Sequence, residues 1–432
     1  MRNSPFWWVL IGFMVALDFY VFQALRVLTQ GASPKTRLII HAIYWGISAL
    51  AVIVLIILPY LHFGIQHKLM RNTFFAIIAG LFFAKVIAAV FFLIDDIRRA
   101  VQWAAGKIFF QGTEGEMGKG EGISRSVFLS WAGMIVGGGL FGTLIYGFGN
   151  KYRYHLNRMK LSFSNLPDGL RGMRIVQISD IHSGSFTDKK AVLHGVEKLL
   201  AEKPDLILFT GDLVNNTADE MEDYMEVFTK VKAPLGVYSI LGNHDYGDYV
   251  SWPDRDDAHL AKEKAAGHHL LTPLQQANLE KLKQVHAALG WRLLMDENVV
   301  VPHNGAELSL IGVQNWSSKI RFPKYGDLKK AYTGADPQAF KILMSHDPSH
   351  WDAQVKPEYP DINLMLAGHT HGMQFGVDIP GFRWSPVQYV YKEWAGLYEE
   401  GHQKLYVNRG YGFIGYPGRV GILPEITVID LA

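Results

Sequence analysis

The sequence predicts two parts in one chain: four membrane-crossing helices, then an α/β domain with buried sheets covered by helices. Three observations predict it. Four long apolar runs fall within the first 150 residues. Beyond Lys151, short aliphatic runs alternate with turn residues and helical stretches. Residue types able to hold a metal recur where those short runs end. At 432 residues the chain is also too long for one ordinary core, which fits a division into residues 1–150 and 151–432.

The apolar runs cover residues 6–25, 38–63, 73–94 and 127–149, and the lipid-facing part of the second stops at Tyr60, before His62. Each is long enough to cross a hydrocarbon core of about 30 Å. The first is no cleaved signal peptide, because its apolar part is too long and three more runs follow. These helices form a multi-pass anchor, so a lipid bilayer is one expected partner. Asp18 and Lys85 lie inside apolar runs, where ionisable groups are costly and face a bundle interior or a partner. We expect them to pair and align the first and third helices. A lipid or ion pathway is the sharper, less favoured reading.

The second part carries the runs MRIVQIS, DLILFT, GVYSILG, LSLIGV, KILMS, INLMLAG, KLYVN and EITVIDL. Their length and β-branched content read as strands. Residues 189–202 and 274–289 read as amphipathic helices between them, and the chain has no internal repeat or low-complexity tract. A net charge of +2 points to no nucleic-acid partner. The absence of cysteine excludes disulfides, thiolate metal sites and a thiol nucleophile. Any metal must therefore be held by histidine, carboxylate and amide oxygen.

Those ligand types sit at strand ends. MRIVQISDIH closes on Asp180 and His182, DLILFTGD on Asp212, and GVYSILGNHD on Asn243, His244 and Asp245. KILMSHD closes on His346, and INLMLAGHTH on His369 and His371. A single Gly-Asp or Asn-His pair at a strand end usually makes only a turn, but five such ends in one domain need another reason. In sheets covered by helices, sites form at the carboxyl ends of strands. Two divalent cations about 3.5–4 Å apart need a bridging carboxylate to offset their repulsion, with neutral ligands around them to preserve Lewis acidity. A metal-bridging hydroxide can then attack phosphorus while the cations stabilise the developing charge.

Asp180-x-His182, Gly211-Asp212, Gly242-Asn243-His244-Asp245, His346 and Gly368-His369-x-His371 together resemble the signature of calcineurin-like metallophosphoesterases. The resemblance implies a four-layer αββα sandwich over residues 151–432. It implies that Asp180, His182 and His371 hold one divalent metal (Mn, Fe or Zn) and that Asn243, His346 and His369 hold a second. Asp212 would bridge them, and His244, oriented by Asp245, would face the leaving group. The tail, AGLYEEGHQKLYVNRGYG followed by PEITVIDL, resembles membrane-associated members of the YkuE and YaeI type. Many protein phosphatases of the superfamily read Gly-Asp-x-x-Asp-Arg, whereas Asn215 and Asn216 follow here, which argues against a protein serine/threonine phosphatase.

Other signals count for less. GYGFIG, residues 410–415, matches a dinucleotide pattern but runs into Tyr416-Pro417-Gly418 rather than a helix, so it reads as a loop at the site's rim. His268-His269 reads as surface. In the insertion 246–272, Tyr246, Tyr249 and Trp252 either line a lid over the metals or touch the bilayer, or else bury themselves in a packed loop. Basic residues flank the spans eight against seven, which sets no orientation. SRSVFLS, residues 124–130, resembles a degenerate twin-arginine export motif and tips the catalytic domain to the extracytoplasmic side.

The expected function is membrane-anchored hydrolysis of a phosphate mono- or diester, its substrate possibly lipid-linked. The alternatives are a pyrophosphohydrolase of a lipid-linked nucleotide sugar such as UDP-diacylglucosamine, and a catalytically silent metal-binding sensor or scaffold. Silence usually shows as lost ligands, and every motif position here is filled.

Overall fold

The structure, a computed structural model, describes residues 5–57, 68–109, 125–254 and 270–432. The chain divides into two compact units, Met1–Tyr146 and Gly147–Ala432.

In the first unit the helices are α1 (Pro5–Leu28), α2 (Pro34–Ile57), α3 (Lys68–Phe109) and α4 (Arg125–Gly147). All four are long and apolar enough to cross a membrane. Ser33 starts α2 by accepting the Thr36 amide at 3.2 Å, with Pro34 fitted to the first turn. Leu38, Leu50 and Ile135 are exposed, as apolar side chains are when lipid is the solvent. Helices α3 and α4 touch through small residues: a Cβ on Gly137 would meet the Ala84 carbonyl oxygen at 2.5 Å. The expected Asp18–Lys85 pair forms, and it recruits α2 as well. Ser48 Oγ donates to Asp18 Oδ1 at 2.9 Å, Lys85 Nζ donates to Ser48 Oγ at 2.9 Å, and Tyr44 OH donates to the Asp18 carbonyl at 2.8 Å.

Helix α3 runs 42 residues, well past the apolar run at 73–94. Apolar composition marks where lipid ends, not where a helix ends. Beyond it Asp95 pairs with Arg98 at 2.7 Å and with Arg99 at 3.3 Å, three and four residues on, which supports further helical turns. The boundary at Tyr60 and the pair His268-His269 lie outside the described residues.

The second unit is two six-stranded sheets packed face to face. The first comprises β1 (His155–Leu161), β14 (Glu425–Leu431), β2 (Arg174–Ile178), β3 (Leu206–Phe209), β4 (Val237–Ser239) and β5 (Arg292–Leu293), in that spatial order. The second runs β12 (Gly396–Glu400), β13 (Gln403–Val407), β9 (Leu364–Ala367), β8 (Phe340–Met344), β7 (Ala306–Gly312) and β6 (Glu297–His303). Alternate residues of each strand face opposite layers. Ile175, Leu206 and Leu208 meet Leu310, Ile342 and Leu364 between the sheets. Val176, Ile207 and Phe209 face outward onto helices α5 (Lys189–Ala201) and α6 (Pro273–Leu289). On the far side Ile311, Leu343 and Met365 pack against Leu328, Trp351 and Val355 of short helical segments. The result is the αββα sandwich, and strands buried on both faces explain why they read as continuous apolar runs.

Both predicted helices are capped. Asp188 accepts the Ala191 amide at 3.0 Å to start α5, and Thr272 with Gln275 forms a capping box at α6. Strands β2, β3 and β4 are parallel neighbours in one sheet, and β8 and β9 in the other. Their carboxyl ends therefore open at the same edge of each sheet. Gln177 joins the two sheets there, donating to Thr210 Oγ1 at 3.0 Å and to the Ala367 carbonyl at 2.9 Å.

Candidate metal centre

The loops that follow these five strands bring all the predicted residues together. Asp180, His182 and His371 form one group of converging ligand atoms, and Asp212, His346 and His369 form a second. In the first group His371 Nε2 lies 3.2 Å from Asp180 Oδ1 and 3.0 Å from His182 Nε2. In the second His346 Nε2 lies 3.1 Å from Asp212 Oδ2. That same Oδ2 is 3.5 Å from His182 Nε2, so Asp212 stands between the groups. Asn243 joins the second group, its Oδ1 2.7 Å from His369 Nδ1.

The supporting hydrogen bonds decide which atoms are free to bind. His346 Nδ1 faces the Thr210 carbonyl at 2.7 Å, which places the ring proton there and turns Nε2 to Asp212. His369 Nε2 lies 2.9 Å from Tyr391 OH, whose own proton goes to Asp347 Oδ2 at 3.0 Å. Asn243 Nδ2 donates to Tyr249 OH at 2.8 Å. With those donors committed, Asn243 Oδ1 and His369 Nδ1 are two acceptors facing one another at 2.7 Å. A cation satisfies that arrangement and a neutral contact does not, so the donor set fits a metal. At His371 the Arg419 guanidinium faces Nδ1 at 3.2 Å and can only donate, so the ring proton sits on Nε2. A cation at that Nε2 requires the other tautomer.

Burial holds His182, His369 and His371 below the ordinary imidazole range, which keeps those rings neutral. Burial also lowers His346, but the charges of Asp212 and Asp180 outweigh it and raise the ring to about 10. Without a cation, His346 and Asp212 therefore share a proton. Asp212 and Asp180 are held well below the usual carboxylate range, burial opposing the shift and the surrounding histidines overcoming it.

The backbone is strained where the candidate ligands sit. Asp180, His182, Asp212, His369 and His371 all have positive φ, a region that non-glycine residues rarely adopt. Gly368 must be glycine, because a Cβ there would meet Ser179 Oγ at 2.0 Å and Asp180 Oδ2 at 2.3 Å. That close approach lets the His369 amide donate to Asp180 Oδ2 at 3.0 Å, tying the two sheets' loops together.

His244 and Asp245 are placed differently from expectation. Asp245 does not orient the His244 ring. Its carboxylate accepts the backbone amides of Asp212, Leu213, Val214 and Gly242 at 2.8–3.3 Å, locking the Gly-Asp turn to the Asn-His turn. The ring of His244 is fixed instead by the Asn215 carbonyl, 2.8 Å from Nδ1, which leaves Nε2 for chemistry. The His244 amide donates to Asp212 Oδ1 at 2.8 Å. Asn215 thus has a role at the position where the sequence departs from the protein phosphatases. Its amide and that of Asn216 both donate to Glu220 Oε2, at 2.6 and 3.3 Å.

Three further residues belong to the site. Asp347 and Tyr391 position His369, and the Phe322 ring sits 4.6 Å from the His369 ring. Asp347 had a sequence signal in the SHD triplet; Tyr391 and Phe322 had none. In the insertion, Tyr246 is buried and stacked on Tyr325 at 3.7 Å, whereas Tyr249 reaches the site. The 410–415 loop is no rim. The amides of Tyr411 and Gly412 donate to the Ser179 and Asp180 carbonyls at 2.7 and 2.8 Å, so the loop backs the site from inside.

Comparison with known proteins points one way. A family model described as calcineurin-like phosphoesterase matches residues 173–373, and one described as the transmembrane domain of a probable calcineurin-like phosphoesterase matches residues 1–150. The uncharacterized metallophosphoesterase YkuE of Bacillus subtilis is 32% identical over 72% of this chain and 98% of its own length. A transmembrane protein with metallophosphoesterase domain from Danio rerio is 29% identical over 63% of this chain, and the chain spans 56% of that relative's length. The UDP-2,3-diacylglucosamine pyrophosphatase LpxG of Chlamydia muridarum is 28% identical over 56% of this chain and 79% of its own.

Proposed function

Because the chain belongs to the calcineurin-like phosphoesterase family and carries four apolar helices ahead of its catalytic domain, we propose that it hydrolyses phosphate mono- or diesters at a membrane-anchored dinuclear site. The observation that carries this reading is the pair of adjacent ligand groups with Asp212 between them. Asp180, His182 and His371 would hold one divalent cation, and Asn243, His346 and His369 the other. Oxygen and imidazole donors without thiolate suit Mn, Fe or Zn. When bound, the cations supply an activated water and positive charge for the phosphoryl oxygens. The chain's own contribution is positioning and proton transfer. Asp245 holds two ligand loops together, the Asn215 carbonyl sets the His244 ring, and His244 Nε2 delivers a proton or hydrogen bond to the departing oxygen. The catalytic domain lies on the extracytoplasmic side in this reading.

Asp212→Ala tests it. Without the intervening carboxylate, at least one metal should be lost on elemental analysis and hydrolysis of p-nitrophenyl esters should collapse. Asp223, an exposed carboxylate, is the control and should tolerate alanine. Two retained metals with near-normal turnover would remove the assignment.

A second reading, pyrophosphohydrolysis of a lipid-linked nucleotide sugar, is favoured by the similarity to LpxG. Release of UMP from UDP-diacylglucosamine by the Mn-loaded chain, measured beside simple phosphodiesters, separates the two.

A further inference from the structure

The chain returns from His371 into a hairpin whose faces are reversed for a water-exposed surface. Strands β10 (Val377–Ile379) and β11 (Phe382–Trp384) pair Val377 with Trp384, Asp378 with Arg383 and Ile379 with Phe382. Side chains two apart share a face, so Val377, Ile379, Phe382 and Trp384 form one side. The polar pair holds the hairpin to the domain: Asp378 meets the buried Arg409 at 2.6 Å, and Arg383 donates to the Ala395 carbonyl. An isolated hairpin on a soluble surface turns its apolar side inward. Here Ile379 is 57% and Phe382 56% exposed.

The apolar surface continues to the mouth of the metal centre. Trp384 Nε1 lies 3.5 Å from Tyr389 OH, Tyr389 is 77% exposed, and Val390 beside it is exposed as well. The next residue, Tyr391, touches His369. Across the mouth, Phe322 faces the His369 ring and Ile320, on the same loop, is 94% exposed. That loop is basic. Lys319 Nζ sits over the Tyr391 ring at 5.3 Å, the Arg321 guanidinium over Phe322 at 5.6 Å and Lys324 Nζ over Trp316 at 4.4 Å, and none of the three has a carboxylate partner among the described residues. Scattered exposed apolar residues mean little, but a contiguous set beside a site marks an interaction surface.

We propose that this surface seats on an anionic phospholipid bilayer, with the hairpin's apolar side chains at the boundary between headgroups and acyl chains. Lys319, Arg321 and Lys324 face the lipid phosphates, and the metal centre opens onto a phosphoester carried in the membrane. Three features select a bilayer over a protein. The covalent anchor keeps the domain at a membrane surface. Basic side chains with no carboxylate partner among the described residues complement anionic lipid. Trp384 and Tyr389 join aliphatic side chains in the mixture that suits an interface. The membrane contact rests on the surface alone; the lipid-borne substrate rests also on the phosphoesterase reading.

The chain has no cysteine, so single cysteines report cleanly. The full chain, reconstituted into vesicles of phosphatidylcholine and phosphatidylglycerol, is labelled with an environment-sensitive fluorophore at Ile379→Cys or Phe382→Cys. Val300→Cys, exposed on β6, is the negative control, and Leu50→Cys on α2 is the positive one. Lipids brominated on the acyl chain should quench the label at 379, 382 and 50 but not at 300. Unquenched labels at 379 and 382 overturn the proposal. So does shielding from aqueous iodide without quenching by bromolipid, because a partner protein or a second copy then covers the surface. In a second measurement, Phe382→Asp should lose about tenfold or more on a vesicle-borne phosphoester and keep its rate on a water-soluble aryl ester. Equal losses on both count against the proposal. No hydrolysis of any ester by the unsubstituted chain refutes the phosphoesterase reading, while the quenching still judges the membrane contact.

Discussion

Asp180, His182, Asp212, His369 and His371 hold φ of 53°, 49°, 61°, 71° and 51°. Each such residue costs about 1–3 kcal/mol and persists only where its surroundings over-determine it. Here the surroundings are hydrogen bonds from backbone amides to carboxylates, His369 donating to Asp180 and His244 to Asp212. Such a site is set before a cation arrives, and its charges then govern how one binds. His346, raised to about 10 by Asp212 and Asp180 against its burial, keeps its extra proton at neutral pH. A cation must displace that proton. Metal affinity should therefore rise about tenfold per pH unit from neutrality up to about pH 10, with one proton released from this ring per chain. Calorimetry in buffers of differing ionisation enthalpy measures the release, and His346→Gln should abolish it. A pH-independent affinity would mean that His346 is neutral in the metal-free protein. His244 offers a separate test, since its ring is held by a carbonyl and not by the ligand cluster. His244→Ala should keep both metals and lose about 10²–10⁴-fold in rate, more for an alkyl phosphate than for an activated aryl ester. Equal losses would assign His244 to phosphate positioning, and loss of metal would make it a ligand.

At the scale of elements, what the sequence reveals follows from what leaves a trace in side-chain type. Strands buried on both faces show as unbroken aliphatic runs, and the candidate ligands at their ends stand out because Asp, His and Asn interrupt those runs. Support given by backbone leaves no trace. The Asn215 carbonyl that orients His244 could have belonged to any residue, and the four amides that occupy Asp245 are equally anonymous. Asp245 was therefore legible as important but not in its role. Tyr391 reaches His369 from a distant segment with no local pattern to announce it. In the membrane helices the Asp18–Lys85 pair was legible because charge inside an apolar run is rare, whereas the Ser48 and Tyr44 hydroxyls that complete it were hidden in ordinary composition. That network makes a prediction for the bundle. Lys85→Met alone leaves the Asp18 carboxylate unpaired in an apolar interior, and breaking a buried pair costs about 3–5 kcal/mol. Asp18→Asn combined with Lys85→Met removes both charges and should recover most of that loss. Thermal unfolding of the full chain in detergent would show it. A double variant no more stable than Lys85→Met would mean that the pair carries no net charge penalty when broken.

For the whole molecule, the question is which side of the membrane receives the substrate. Four crossings, one for each long apolar helix among the described residues, would place the start of α1 and the beginning of the catalytic unit on the same side of the bilayer. Basic residues do not choose that side, being eight against seven across the flanks. The segment 124–130 tips the choice outward through its resemblance to an export motif. An even number of crossings makes the test simple, because one reporter reads both ends. A phosphatase reporter that folds only outside the cytoplasm, fused after Ala432, should be active, and a fluorescent protein that fails to mature when exported should stay dark at the same point. The reverse pattern would place the domain in the cytoplasm. It would leave the metal chemistry untouched, since none of the ligand geometry depends on the compartment. It would, however, change the substrates within reach, favouring a nucleotide-linked lipid made in the cytoplasm over a phosphoester on the outer leaflet.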